Sequence, residues 1–325
     1  MGDTHSGKSL AIERLAKHFY EKTGKSTRVY IGDGGGETYN TEGLVDDGII
    51  ELFDYSVLSF PQTVLKLMTK YWWPKDWRDP ASKLVAPSAD LFDKYAMMVF
   101  EGGTVIGNWL LSDTPGGFAW HAAHSTGFGG VKDDEDLLNY TDSFKEVEGS
   151  IADEQMQGVN APKHYQYVQK QILNAIRKSK MFPGLVMWTF HPTEGPDKSA
   201  GAESGRFGEI KGKKVIGPDA GGRALASTLP KEFGHFLHAD QVSILKEVKD
   251  ETSHQLVKSI TKEFRLYTRR HFDPEKVVLT EYIAGTRSPS VKDYYVSKTP
   301  GDSLLQFYQA VADGRAQAKQ TRSNA

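Results

Sequence analysis

The sequence predicts an α/β fold: a mainly parallel sheet with helices on both faces, its first strand largely missing from the chain. Three observations predict it. Apolar runs of strand length alternate with stretches whose apolar residues recur at helical spacing. The run Tyr95–Phe100 (Tyr-Ala-Met-Met-Val-Phe) is continuously apolar, as in strands buried on both faces. Polar or glycine-bearing turns follow these runs, at the strand ends where such sheets place ligands.

The elements follow in order. Ser9 to Thr23 reads as a helix, because Ala11, Leu15 and Phe19 recur every fourth residue and Gly24 follows as a stop. Arg28–Ile31 is a short strand ending at Asp33 and the glycines 34–36, and Ile49–Phe53 is a second strand. Phe60–Lys70 reads as a helix, and the aromatic, proline-punctuated stretch 71–87 as a packed surface connection. Tyr95–Phe100 ends at Glu101-Gly-Gly-Thr104. Residues 113–160 lack sustained periodicity and read as an insertion. Pro162 opens a helix with an apolar stripe of Tyr165, Val168, Ile172 and Ile176. Leu185–Phe190 is another buried strand, closed by His191-Pro192. A Gly/Lys-rich segment covers 193–220, then a short helix Gly221–Leu229 and a strand Phe233–His238. Further strands fall at Glu263–Thr268 and Val277–Ala284. Asp302 or Ser303 caps a last helix through Ala312, followed by a polar tail.

The totals narrow the function. The 325 residues carry a formal net charge of −2, which argues against a generally basic nucleic-acid coat but not against a local basic site. There are no cysteines, so disulfides, thiolate metal sites and cysteine nucleophiles are excluded. No signal peptide and no apolar run of membrane-spanning length is present, which predicts a soluble, cytoplasmic protein with no membrane partner.

Residues 2–9 read Gly-Asp-Thr-His-Ser-Gly-Lys-Ser, the P-loop (Walker A) pattern. Polyphosphate needs dense positive potential without bulky side chains. Glycines at both ends of the loop let successive amides turn inward, and the helix that follows adds its positive end. Gly2, Asp3, Thr4, His5, Ser6, Gly7, Lys8, Ser9 and Leu10 form the expected ATP cradle. Lys8 reaches the β- and γ-phosphates, and the Ser9 hydroxyl holds Mg²⁺. A carboxylate at a buried strand end completes a metal site, and Glu101 fits that place, with a cap on the next helix as the alternative. Thr189 and His191 end a neighbouring strand and are candidate γ-phosphate sensors, with a structural histidine beside Pro192 as the alternative. Only Met1 precedes Gly2, so a chain extended upstream by about ten residues, a strand and its lead-in, is expected to be a more stable and more active ATPase.

This order of parts resembles the RecA-type ATPase core. The loop is followed by Ile31-Gly-Asp33, the strand ending at Glu101, the helix Tyr165–Lys178, and the strand Leu185–Phe190 with His191. Ile216-Gly-Pro218 before Gly222-Arg-Ala-Leu225, and Ala284-Gly-Thr-Arg287-Ser-Pro, are similar to phage-encoded ATPases of the single-strand-annealing type. The resemblance implies a RecA-like core over 1–240, with 241–325 completing or extending it. It also implies an oligomeric, Mg²⁺-dependent ATPase acting on single-stranded DNA in phage-type recombination or replication. On that reading Lys8, Glu101 and His191 are the catalytic residues. Asp54, Glu37 and Glu101 compete as the acid that activates water. Arg287 is either a γ-phosphate finger across a subunit boundary or a strand-end salt-bridge partner. Lys198, Arg206, Lys211, Lys213 and Lys214 are the candidate DNA contacts, with a solvated surface hairpin turning at Gly212 as the alternative. Phe207 would stack on a base. Other outcomes are a packaging or helicase-loading motor, a nucleotide-dependent switch, or a small-molecule kinase. His121 and His124 lack a third metal ligand at convincing spacing, and Trp72, Trp73 and Trp77 read as packing residues.

Overall fold

The computed structural model describes residues 1–2, 6–32, 38–54, 93–108, 162–180, 182–194, 214–220, 225–226, 228–249, 256–273, 280–299 and 301–323. The expected helix 60–70, the 71–87 connection, the 113–160 insertion, Asp3, Thr4, His5, Asp33, Glu37, Lys198, Arg206, Phe207, Lys211 and Lys213 lie outside them, as do the residues of the tryptophan and His-Ala-Ala-His motifs.

The fold is mixed α/β. Its centre is a parallel sheet in the order β2 (Ile50–Asp54), β1 (Ser26–Ile31), β3 (Tyr95–Phe100), β4 (Leu185–Trp188). The expected apolar runs supply these strands because each must be covered twice. In β1, Val29 and Ile31 face one side and Tyr30 the other; in β3, Met97 and Val99 oppose Met98 and Phe100. Helix α1 (Lys8–Thr23) covers the first side through Ile12, Leu15 and Ala16. Helix α2 (Pro162–Ser179) covers the second through Val168, Ile172, Ala175 and Ile176. On that second side Tyr30 stacks on Phe100 at 5.1 Å, and Phe100 on Trp188 at 4.4 Å, an aromatic row across three strands. Burial pushes the Tyr30 phenol up to about 12.

The expectation of a mainly parallel sheet holds for this core and fails beyond it. β5 (Pro192–Glu194) pairs antiparallel with β6 (Lys214–Pro218), which also pairs in parallel with β11 (Thr280–Tyr282), itself bordered by β10 (His271–Asp273). A long hairpin, β8 (His238–Lys249) and β9 (Leu256–Tyr267), carries β13 (Tyr294–Ser297) on its inner end.

Several boundaries differ from expectation. The strand expected at 233–238 is broken: a 3₁₀ turn, Leu229–Glu232, precedes β7 (His235–Phe236), which pairs with β12 (Gly285–Thr286). Pro230 suits the first turn of this short helix, and Leu229 opens it instead of closing a helix. The strand expected at 263–268 is only the inner part of β9. The last helix, α3 (Asp302–Ser323), runs well past Ala312. Its supposed tail is rich in Ala, Gln, Lys and Arg, which are good helix formers on an exposed surface. Among the described residues, no helix is long and apolar enough to cross a membrane.

Candidate nucleotide-phosphate site

Gly7 caps α1 in the left-handed region, at φ 80°, a conformation that an L side chain resists. It turns the chain so that Lys8 and Ser9 occupy the first helical turn. Gly2 is needed for closeness: a Cβ there would meet the Ala239 carbonyl oxygen at 2.5 Å and the Ser6 hydroxyl at 2.5 Å. These two glycines are the ones the loop pattern demanded.

The loop is anchored from both sides. The Gly2 amide donates to the Phe190 carbonyl at 3.1 Å, just beyond β4. The Ala239 amide donates to the Met1 carbonyl at 2.8 Å, and the Met1 amino group to the Leu237 carbonyl at 2.6 Å. Burial, reinforced by Lys8, pushes that amino group down to about 5. The Lys8 ammonium folds back onto the Gly2 carbonyl at 2.8 Å and the Ser6 hydroxyl at 3.5 Å. It is thus held over the mouth of its own loop.

Ser9 donates from Oγ to Glu101 Oε1 at 2.9 Å, and the buried Tyr39 hydroxyl donates to Glu101 Oε2. Glu101 is placed by its own amide, which donates to the Tyr30 carbonyl at 2.8 Å. Sequence spacing therefore located two groups 92 positions apart that the fold brings into contact. It did not locate Tyr39, whose isolated position carries no motif.

The ends of β3 and β4 are laced together. Gly102 donates its amide to Thr189 Oγ1 at 3.2 Å, and the His191 amide donates to Thr104 Oγ1 at 2.8 Å. Thr104 in turn donates to the Asp219 carbonyl at 2.7 Å. His191 follows the residue that receives the Gly2 amide, so it lies beside the loop's entry. Its side chain is partly buried, and its amide is held by Thr104.

Other expected residues fall elsewhere. Lys214 is exposed and pairs with Glu194 at 3.1 Å across the β5–β6 ladder. The ends of these two strands are thus tied together, and the Asp219 amide donates to the His191 carbonyl at 2.8 Å. Arg287 is exposed, with its amide on the Gly234 carbonyl and its guanidinium 3.4 Å from the Lys231 carbonyl. Among the described residues no group of three His, Asp or Glu could hold a metal alone. No family model matches the chain, and no curated protein matches it.

Proposed function

We propose that the chain is a P-loop nucleotide-binding protein whose phosphate site is built by Gly2, Ser6, Gly7, Lys8 and Ser9, with Asp3, Thr4, His5 and Leu10 completing the loop. More particularly, we read it as a RecA-like, Mg²⁺-dependent ATPase acting on single-stranded DNA in phage-type recombination or replication, oligomeric when active. One observation carries the reading: the Ser9 hydroxyl, one residue after the loop lysine, meets Glu101 at the end of a strand buried on both faces.

The residues fit the roles. Lys8, released from the Gly2 carbonyl, has the reach and charge to neutralise phosphate oxygens, and the amino end of α1 adds its positive dipole end. Ser9 and Glu101 are hard oxygen donors suited to Mg²⁺. The Ser9 hydroxyl and the Glu101 carboxylate, 2.9 Å apart, are the two groups that would hold the ion. Bound there, the ion would neutralise charge on the phosphates. His191 is the residue we assign to sensing the terminal phosphate. The DNA assignment rests on the RecA resemblance and on the lysine-rich sequence 198–214.

A second reading, a nucleotide-dependent switch with slow turnover, draws on Glu101 being engaged by two hydroxyls, which leaves it poorly placed to activate water. The test is ATP binding and hydrolysis with and without single-stranded DNA. Lys8→Ala is expected to weaken ATP binding at least ~10-fold, the size of a lost charge-assisted bond. Unchanged affinity would refute the site. Turnover stimulated by single strands and not by duplex supports the motor; slow turnover indifferent to DNA supports the switch.

A further inference from the structure

Helix α1 buries a carboxylate where its neighbours are apolar. Glu13 is only 3% exposed and lies among Ile12, Leu15 and Ala16, the residues by which α1 covers the sheet. A carboxylate in such a place is costly unless donors meet it. One residue meets both of its oxygens: Thr41 donates its amide to Oε1 at 2.9 Å and its hydroxyl to Oε2.

The same short segment reaches the candidate metal site. Tyr39, fully buried, donates its hydroxyl to Glu101 Oε2, while Ser9 donates to Glu101 Oε1 at 2.9 Å. Ser9 and Glu13 stand one turn apart on the same face of α1. These contacts close a ring: Ser9 to Glu101, Glu101 to Tyr39, along the chain to Thr41, Thr41 to Glu13, and one helical turn back to Ser9. A buried tyrosine ring has little torsional freedom, so the place of its hydroxyl follows the place of its backbone. Glu42 also meets α1, pairing with Arg14 and Lys17 at 2.8 Å each, but these pairs are open to water and such pairs hold little. The bonds to buried Glu13 are the anchor.

We propose that Glu13 is a positioning residue for the Mg²⁺ site: through Thr41 it fixes Tyr39, and Tyr39 turns the Glu101 carboxylate towards Ser9. The Mg²⁺ role rests on the phosphate-site reading above, whereas the coupling itself rests on the hydrogen bonds. Opening the ring at Glu13 or Thr41 loosens Glu101 and leaves Lys8 and the loop in place.

The test reads binding of a fluorescent ATP analogue to the full chain, with Mg²⁺ titrated and, separately, in EDTA. Thr41→Val keeps the amide bond to Glu13 and removes the hydroxyl one. It is expected to raise the half-saturating Mg²⁺ about 5-fold, the size of one lost hydrogen bond, with binding in EDTA unchanged. Thr41→Ser is expected to restore the original value, Glu42→Gln to leave it as it is, and Glu13→Ala to match or exceed Thr41→Val. Adding Tyr39→Phe to Thr41→Val is expected to do no more than Tyr39→Phe alone, since both act through one phenol. A merely structural Glu13 would lower the melting temperature of these variants and leave the Mg²⁺ titration where it was, which overturns the proposal. So does Glu42→Gln as damaging as Thr41→Val, or additive effects in the double variant. Crystals of the original chain and of Thr41→Val, grown without nucleotide, separate the coupling from the reading beneath it. Tyr39 is expected to leave Glu101 in the variant, and a Tyr39 still bonded there overturns the proposal. If the original chain binds no nucleotide while the crystals show that displacement, the phosphate-site reading fails with its Mg²⁺, and the coupling of Glu13 to Glu101 stands.

Discussion

At the scale of single residues, the candidate site is a set of polar groups that constrain one another. Glu101 is buried at a strand end, where an unpartnered carboxylate would be costly. Tyr39 answers that cost from one oxygen and Ser9 from the other. Tyr39→Phe keeps the shape and removes one donor, so we expect a loss of about 1–3 kcal/mol in urea unfolding. We also expect a weaker response to added Mg²⁺, because the carboxylate is then free to turn away from Ser9. Unchanged stability and Mg²⁺ response would show that the phenol does not hold the carboxylate. This scale also marks the limit of sequence reading. Lys8, Ser9 and Glu101 were legible, since the loop has fixed spacing and a polar residue after an apolar run is conspicuous. Tyr39 was not, because a lone aromatic after a glycine-rich turn looks like any packed tyrosine until the fold brings it to Glu101.

Among elements, α1 and the turn before α3 approach each other closely. Gly301 has φ 96°, and a Cβ on it would meet Ala11 Cα at 2.8 Å. Gly48 shares the left-handed backbone, at φ 69°, but has nothing within 4 Å of that Cβ. Gly48→Ala is therefore expected to cost only the backbone strain, about 1 kcal/mol. Gly301→Ala adds a clash of backbone against backbone and should cost clearly more in chemical denaturation. Equal losses would mean that the two helices are not packed as described. The helices and core strands were legible because their apolar spacing is long and regular. The β8–β9 hairpin was not. Its outer part has charged and apolar residues on both strands, including exposed Leu245 opposite exposed Ile260, so no single face announces itself. The length of α3 was hidden for the converse reason: an exposed helix needs no apolar stripe.

For the molecule as a whole, buried bases should set its response to acid. His238 lies buried beside Tyr282, 4.4 Å away, and His271, 5.1 Å away, and its Nδ1 is 3.2 Å from His271 Nε2. Burial holds it well below the ordinary 6.5, with the Met1 amino group, His271 and Lys8 adding repulsion. Burial also lowers His271 and His235. For a base lowered in the folded state, the unfolded chain takes up protons that the folded chain refuses. Stability is therefore complete above the unfolded value and falls as pH drops through it. The histidines act below 6.5. The Met1 amino group, lowered from 8.0 to about 5, acts from pH 8 downwards and contributes on the order of 4 kcal/mol at about 1.4 kcal/mol per unit. Melting temperature is expected to decline steadily from pH 8 to pH 5, and less steeply in His238→Phe. A flat profile would contradict the burial of these groups. None of this was legible in the sequence, since the histidines are scattered and only the sheets bring them together.

The contact between Gly301 and Ala11 joins residues 290 positions apart. During synthesis α1 leaves the ribosome well before α3 is made. Ile12 and Leu15 therefore stay uncovered on one side until that later stretch of the chain arrives. Through that interval the nascent chain carries an open, greasy helix, a natural place for chaperones to hold it.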